Sequence, residues 1–149
     1  MEAPSGRPRM QVTVSGRLFS GMGKGRYYVG HPEYQRKFRD SLGYAPYPGT
    51  LNVKLEDRDA IGSVNHLRTT EGIKIASFTM NGESFSSLTC FNGTMRGEKV
   101  TLLLIDVTYY NETVAELISP IYLRGRFGLK DGEIVTFALD VPAVRPGRL

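Results

Sequence analysis

Cysteine is all but absent from this chain of 149 residues: Cys90 stands alone, so no internal disulfide can form and a reducing compartment is expected. Histidine is equally sparse. His31 and His66 do not combine with Cys90 into the spacing of a metal-ligand cluster. Long apolar runs are missing too: the longest, Val100 to Val107, is interrupted by Thr101 and Asp106 and falls short of the roughly 20 residues that cross a bilayer. Residues 1–9 hold no apolar core of the kind a secretory signal needs. Together these absences predict a soluble cytoplasmic protein with no membrane partner. A dense basic stripe is also lacking. The net charge is +4, but Arg7, Arg9, Arg145 and Arg148 put part of the excess into Pro- and Gly-flanked ends. That balance favours anionic partners; nucleic acid is the less expected one, because it calls for clustered cations on one helix or ribbon.

What is present is one domain's worth of chain, long enough to bury a core unaided. Residues 1–9 read as a disordered lead-in, 10–141 as one folded domain and 142–149 as a loose tail. Met10 to Phe19 alternates Val12, Val14 and Leu18 with Thr13, Ser15 and Arg17, the period of a strand with one buried face. His31 and Pro32 open a helix, His31 as its cap, and Tyr34, Phe38 and Leu42 form its core stripe before Gly43 stops it. Thr50 to Leu55 is a strand. Glu56 to Gly72 reads as polar and irregular, with Ile61, Val64 and Leu67 in at most one helical turn, and His66 as a surface residue. Strands follow at 73–78 and 85–91 around Asn81-Gly82, with a second turn at Asn92-Gly93, then at 100–107, 114–118 and 134–141. Pro120 to Gly128 reads as a short helix with Ile121, Leu123 and Phe127 inward. Six or seven short strands with one main helix predict a mostly β fold, a closed or nearly closed barrel. Cys90 reads as a small buried apolar residue.

Two stretches carry chemistry. Gly21, Gly23 and Gly25 allow positive φ and close backbone approach, so their N–H groups can form a nest for phosphate, with Lys24 and Arg26 adding charge. The spacing is neither a Walker A loop nor a dinucleotide fingerprint, and alone the loop reads equally as a strand-to-helix connection. In Gly49-Thr50-Leu51-Asn52, strand geometry turns Thr50 and Asn52 to the same side. Two neutral oxygens suit Mg²⁺ that keeps waters and takes further oxygens from a phosphate; by themselves they also read as polar residues at a turn edge.

Gly21 to Tyr27, the helix ending Leu42-Gly43-Tyr44, Pro46-Tyr47-Pro48-Gly49-Thr50-Leu51-Asn52, Glu116 to Arg124 and Phe127 to Gly132 together resemble the archaeal CTP-dependent riboflavin kinases, over roughly Val12 to Phe137. The resemblance implies a six-stranded cradle-loop barrel that transfers the CTP γ-phosphoryl group to the ribityl 5′-hydroxyl of riboflavin, giving FMN and CDP. It assigns Met22, Gly23, Lys24, Gly25, Arg26 and Tyr27 to the nucleotide and its phosphates, and Ile121, Tyr122, Leu123 and Arg124 to a second nucleotide segment around the cytosine. Thr50 and Asn52 would hold Mg²⁺. Thr108 and Glu116, eight residues apart, match the flavin-contacting pair. Glu116 is the leading carboxylate to take the hydroxyl proton or to position the substrate, ahead of Asp106 and Glu56, with Lys24 or Arg26 neutralising charge. Lys24 stands where an acidic residue can occur in the family, and Asn81 to Lys99 has no clear counterpart. A monomer is expected.

A nucleic-acid-binding barrel is the alternative from another class: Leu129 to Val135 resembles the turn of swapped-hairpin transcription factors, and the ends are basic. Such domains do not need Gly49 to Asn52 or the glycine loop. A flavin- or nucleotide-binding module without activity is the third reading.

Overall fold

Strand alternation at the start of the chain sets the first wall of the structure. The computed structural model describes residues 8–106 and 113–143. In β1 (Arg9–Phe19), Val14, Gly16 and Leu18 turn inward while their neighbours face outward. β1 pairs along its length with β9 (Ile134–Pro142), and its last residues pair with β2 (Leu51–Lys54). β2 continues to β8 (Val114–Ile118), β8 to β7 (Glu98–Ile105), and β7 to β6 (Leu88–Met95). β6 then meets β9, which closes a six-stranded antiparallel barrel. β3 (Ile73–Ile75) adds one strand outside the ring on β6, and β4 (Phe78–Met80) with β5 (Glu83–Phe85) forms a separate hairpin.

The interior is filled by inward positions of every wall, among them Val53, Phe91, Met95, Leu102, Leu117, Phe137 and Leu139, all at most 2% exposed. Full burial of each large apolar side chain contributes about 1.5–3 kcal/mol. β6 is covered on both faces: Phe91 and Met95 face the barrel, while Leu88 and Cys90 face a second cluster outside it. Tyr34, Phe38 and Leu42 of helix α2 (Pro32–Leu42) fill that outer cluster. The ends of α2 form as expected: the His31 Nδ1 accepts from the Glu33 backbone N–H, Pro32 takes the first position, and Gly43 stops the helix at φ 83°. Burial pushes the Cys90 thiol up to about 12, which keeps it inert.

Three expectations need correction. The strands expected at 73–78 and 85–91 around Asn81-Gly82 are each broken: that turn joins β4 to β5, while β3 ends at Ile75 and pairs with β6. Residues 58–67 are not irregular but form helix α3 (Arg58–Leu67), capped by Asp57, whose carboxylate accepts from the Ala60 backbone N–H. His66 lies on this helix. Ala60, Val64 and Leu67 lay a narrow apolar stripe into the barrel core, which outweighs the polar composition of the rest. Asn92-Gly93 is not a turn. Both residues sit inside β6, and the chain reverses at Arg96-Gly97 instead, both with positive φ. Gly93 is glycine because it pairs with β7 on one side and β9 on the other, and a Cβ there would lie 2.0 Å from the Ala138 carbonyl oxygen. Gly93→Ala is therefore expected to cost more than about 3 kcal/mol in urea unfolding. A cost under about 1 kcal/mol would show that the barrel seam yields easily.

Candidate active site

A broad cleft of about 580 Å³ opens where β1 ends, β2 begins and β8 ends. The glycine loop, with Met22, Gly23, Lys24, Gly25 and Arg26, forms one side. It runs straight into a short helix α1 (Lys24–Val29), which the sequence reading did not give and which precedes α2. Only Gly23 of the three glycines has positive φ, 84°. Gly21 and Gly25 serve close approach: a Cβ on Gly21 would lie 2.6 Å from Asn52 Nδ2, and one on Gly25 2.5 Å from Thr50 Oγ1. The loop thus lies directly on Thr50, just before β2, and on Asn52 within it. Lys24 and Arg26 are exposed, and among the described residues neither meets a carboxylate.

On β2, Leu51 and Val53 are buried in the barrel, so Thr50 and Asn52 turn together to the cleft. The Thr50 hydroxyl donates to Asn52 Oδ1 at 2.9 Å. The sheet register places Asn52 opposite Phe19 of β1 on one side and opposite Glu116 of β8 on the other. Glu116 is half-buried and, among the described residues, has no hydrogen-bond or ion-pair partner. Burial pushes its carboxyl above the ordinary carboxylate range. Among the described residues no three His, Cys, Asp or Glu side chains cluster as a metal cage. The neutral oxygens of Thr50 and Asn52 fit a hard divalent cation that completes its shell from water and phosphate.

The far side of the cleft is the segment after β8. Ile121, Tyr122, Leu123 and Arg124 line it, Leu123 and Arg124 being the first residues of helix α4 (Leu123–Phe127). Ser119 ties the segment down: its hydroxyl donates to the Lys99 carbonyl at 2.7 Å and accepts from the Ile121 backbone N–H. The Tyr122 ring stacks on Tyr47 at 5.0 Å. Arg124 donates to the Phe19 carbonyl and pairs with Asp131 at 2.8 Å. The Ser20 hydroxyl first, then Arg124, holds the Asp131 carboxyl below the ordinary range. Arg124 is thus a brace between β1 and α4 whose charge is already answered.

The structure gathers most of the expected residues in this one cleft and leaves others out. Tyr27 does not line it; its hydroxyl donates to Glu83 Oε1 at 2.6 Å, which raises its pKa. Thr108 lies outside the described residues, as do residues 1–7 of the lead-in and 144–149 of the tail. Glu56 pairs with Arg17 on the surface. Burial pushes Asp106 upward, but the Thr89 and Ser87 hydroxyls and Lys74 outweigh it and hold the carboxyl low. Neither lines the cleft. Tyr47 and Ser119 line it and were not singled out by the sequence reading, although Tyr47 sits inside the Pro46 to Asn52 stretch.

Residues 18–139 match the model of the CTP-dependent riboflavin kinase domain, described as domain of unknown function DUF120. The chain belongs to that family. It is also 36% identical over 124 residues to a riboflavin kinase of Archaeoglobus fulgidus, covering 83% of this chain and 53% of that protein. A riboflavin kinase of Halobacterium salinarum is 33% identical over 135 residues, 87% of this chain and 58% of its own. One of Thermoplasma volcanium is 36% identical over 128 residues, 86% and 57% respectively. The chain thus spans little more than half the length of these relatives. The family match takes in the whole cleft, from Phe19 to Arg124. Among the described residues no helix is long and apolar enough to cross a membrane.

Proposed function

We propose that this chain is a CTP-dependent riboflavin kinase, producing FMN and CDP, with the broad cleft as its active site. The observation that carries the reading is the meeting, across neighbouring strands, of a half-buried carboxylate, without a partner among the described residues, with two neutral oxygens under a glycine loop. Family membership supplies the substrates to test. Thr50 and Asn52 would hold a divalent cation, Mg²⁺ by preference, whose chemistry is charge neutralisation on the triphosphate. The backbone N–H groups of Met22 to Gly25, with Lys24 and Arg26, bind the phosphates and hold the γ-phosphorus in line. Ile121 to Arg124 face the base. The ribityl 5′-hydroxyl oxygen attacks the γ-phosphorus, the bond to the β–γ bridging oxygen breaks, and CDP departs. Glu116 takes the hydroxyl proton. Its raised pKa makes it a better proton acceptor than an exposed carboxylate.

Binding tests this without turnover. Riboflavin is expected to lose fluorescence on addition of the protein, and calorimetry is expected to detect CDP more tightly than ADP, GDP or UDP in the presence of Mg²⁺. A folded sample that takes up neither riboflavin nor any nucleotide would contradict the proposal. Gly25→Ala gives a sharper test of the loop. Alanine in a helix would ordinarily be favoured by about 1 kcal/mol. Here its Cβ displaces the Thr50 hydroxyl, so kcat/KM for the nucleotide is expected to fall about a hundredfold with the melting temperature unchanged or raised. Unaltered kinetics would separate the loop from the reaction.

A further inference from the structure

The β4–β5 hairpin belongs neither to the barrel nor to the cleft, and its turn and second strand fall in the stretch, Asn81 to Lys99, for which the family resemblance offered no counterpart. It is a well-formed unit. Asn81 and Gly82 take positive φ, 51° and 80°, the pattern of a tight two-residue turn, and Phe78 stacks on Phe85 at 4.6 Å. Its inner face packs on α2: Tyr34 meets both Phe78 and Phe85 edge-on, and the Tyr34 hydroxyl donates to the Ser86 carbonyl. From that base the hairpin reaches α1. Phe85 meets the Tyr28 ring at 5.9 Å, Tyr28 meets Tyr27 at 5.0 Å, and Glu83 accepts the Tyr27 hydroxyl at 2.6 Å.

What this holds is a helix that cannot hold itself. α1 has six residues, far below the length at which a helix is stable alone. It has no side-chain cap and no acidic residue in its first turn. Val29 is its one buried side chain, at the end away from the cleft. Among the described residues, Tyr27–Glu83 is the one hydrogen bond made by an α1 side chain; the other side-chain tie, Gln35 Nε2 donating to the Val29 carbonyl at 2.7 Å, holds the helix at the end away from the cleft. Tyr27 stands two residues beyond Gly25, whose backbone rests on Thr50.

We infer that Glu83 is a positioning residue of the nucleotide site: through Tyr27 the β4–β5 hairpin sets the angle of α1, and with it the glycine loop over Thr50 and Asn52. The inference rests on the reading of the cleft as a nucleotide site. It assigns Tyr27 a role as tether rather than as a contact to the nucleotide.

The test is CDP binding by calorimetry, in the presence of Mg²⁺, on the full chain and on Glu83→Ala, Tyr27→Phe, the double variant and Glu83→Gln. Tyr27→Phe keeps the ring on Tyr28 and removes the hydroxyl alone. Each single variant is expected to weaken CDP about five- to tenfold, and the double variant no more than either, as for two ends of one contact. Glu83→Gln, which retains an acceptor oxygen, is expected to restore most of the affinity. Riboflavin affinity and the melting temperature are expected to stay put, which a merely structural role would not allow. Unchanged CDP affinity in the variants, or effects that multiply in the double variant, would overturn the inference. So would a loss in Tyr27→Phe with none in Glu83→Ala, because Tyr27 would then touch the nucleotide directly. Failure of the unaltered protein to bind CDP would instead remove the nucleotide site itself, and this inference with it.

Discussion

Asn52→Ala is expected to lower kcat for FMN formation by about two to three orders of magnitude while riboflavin affinity stays within about twofold. The carboxamide oxygen of Asn52 is one of the two neutral oxygens that β2 presents to the cleft, and Thr50 donates to it. Its removal leaves the cation and the terminal phosphate short of a partner at the point where charge shifts during transfer. The strand itself has no reason to fail, since Leu51 and Val53 stay buried and the pairing to β1 and β8 is through backbone. The measurement is steady-state turnover beside a riboflavin fluorescence titration. Equal losses in both would mean that Asn52 supports the cleft wall and has no part in transfer.

Glu116→Gln is expected to have an effect of similar size, with a different signature. A proton acceptor in the transition state contributes about two to four orders of magnitude in rate. The amide keeps the shape and hydrogen-bonding reach of the side chain, so riboflavin affinity should persist if Glu116 acts as base and fall if it only positions the flavin. The pH profile separates the cases further. The kcat of the unaltered protein should fall with acid through a limb lying above the ordinary carboxylate range, and the variant should lack that limb. Stability should move the other way. A carboxyl whose folded pKa is raised binds its proton more tightly in the folded state, so stability is highest below the ordinary pKa. It is lost as pH rises through the ordinary and then the raised value. Above the raised value the carboxylate is ionised against burial, and there the neutral glutamine should melt at a higher temperature than the parent. A variant that is both slower and less stable would contradict a carboxylate that burial alone disfavours at this position.

The parts of the molecule legible in the sequence are those whose causes are local. The cap, proline, apolar stripe and terminal glycine of α2 are all written within His31 to Gly43, and the helix forms there. Val114–Ile118 is a strand with the expected bounds, and Thr50 and Asn52 share a face because strand period requires it. The failures have tertiary causes. Gly93 looked like a turn residue, but it is glycine because β9 crosses against it. Gly21 and Gly25 suggested positive φ, yet their reason is the nearness of Asn52 and Thr50. α3 was hidden because only three of its ten positions are buried, although Asp57 with the Ala60 N–H was a readable cap. The register that sets Glu116 beside Asn52 is invisible in sequence, since 64 residues of spacing separate them. The family resemblance named both residues without showing that they are neighbours. Nothing in the sequence pointed to Glu83, because its role depends on a hairpin reaching across to α1.

The most direct measurement is chromatography of the products after incubating the folded protein with riboflavin and Mg²⁺ in separate samples containing CTP, ATP, GTP or UTP. FMN formed chiefly with CTP, with CDP as the matching product, is the predicted result. FMN formed chiefly with ATP would keep the kinase and contradict the placing of a cytosine against Ile121 to Arg124. No FMN with any donor would contradict the account of the cleft as the site of riboflavin phosphorylation.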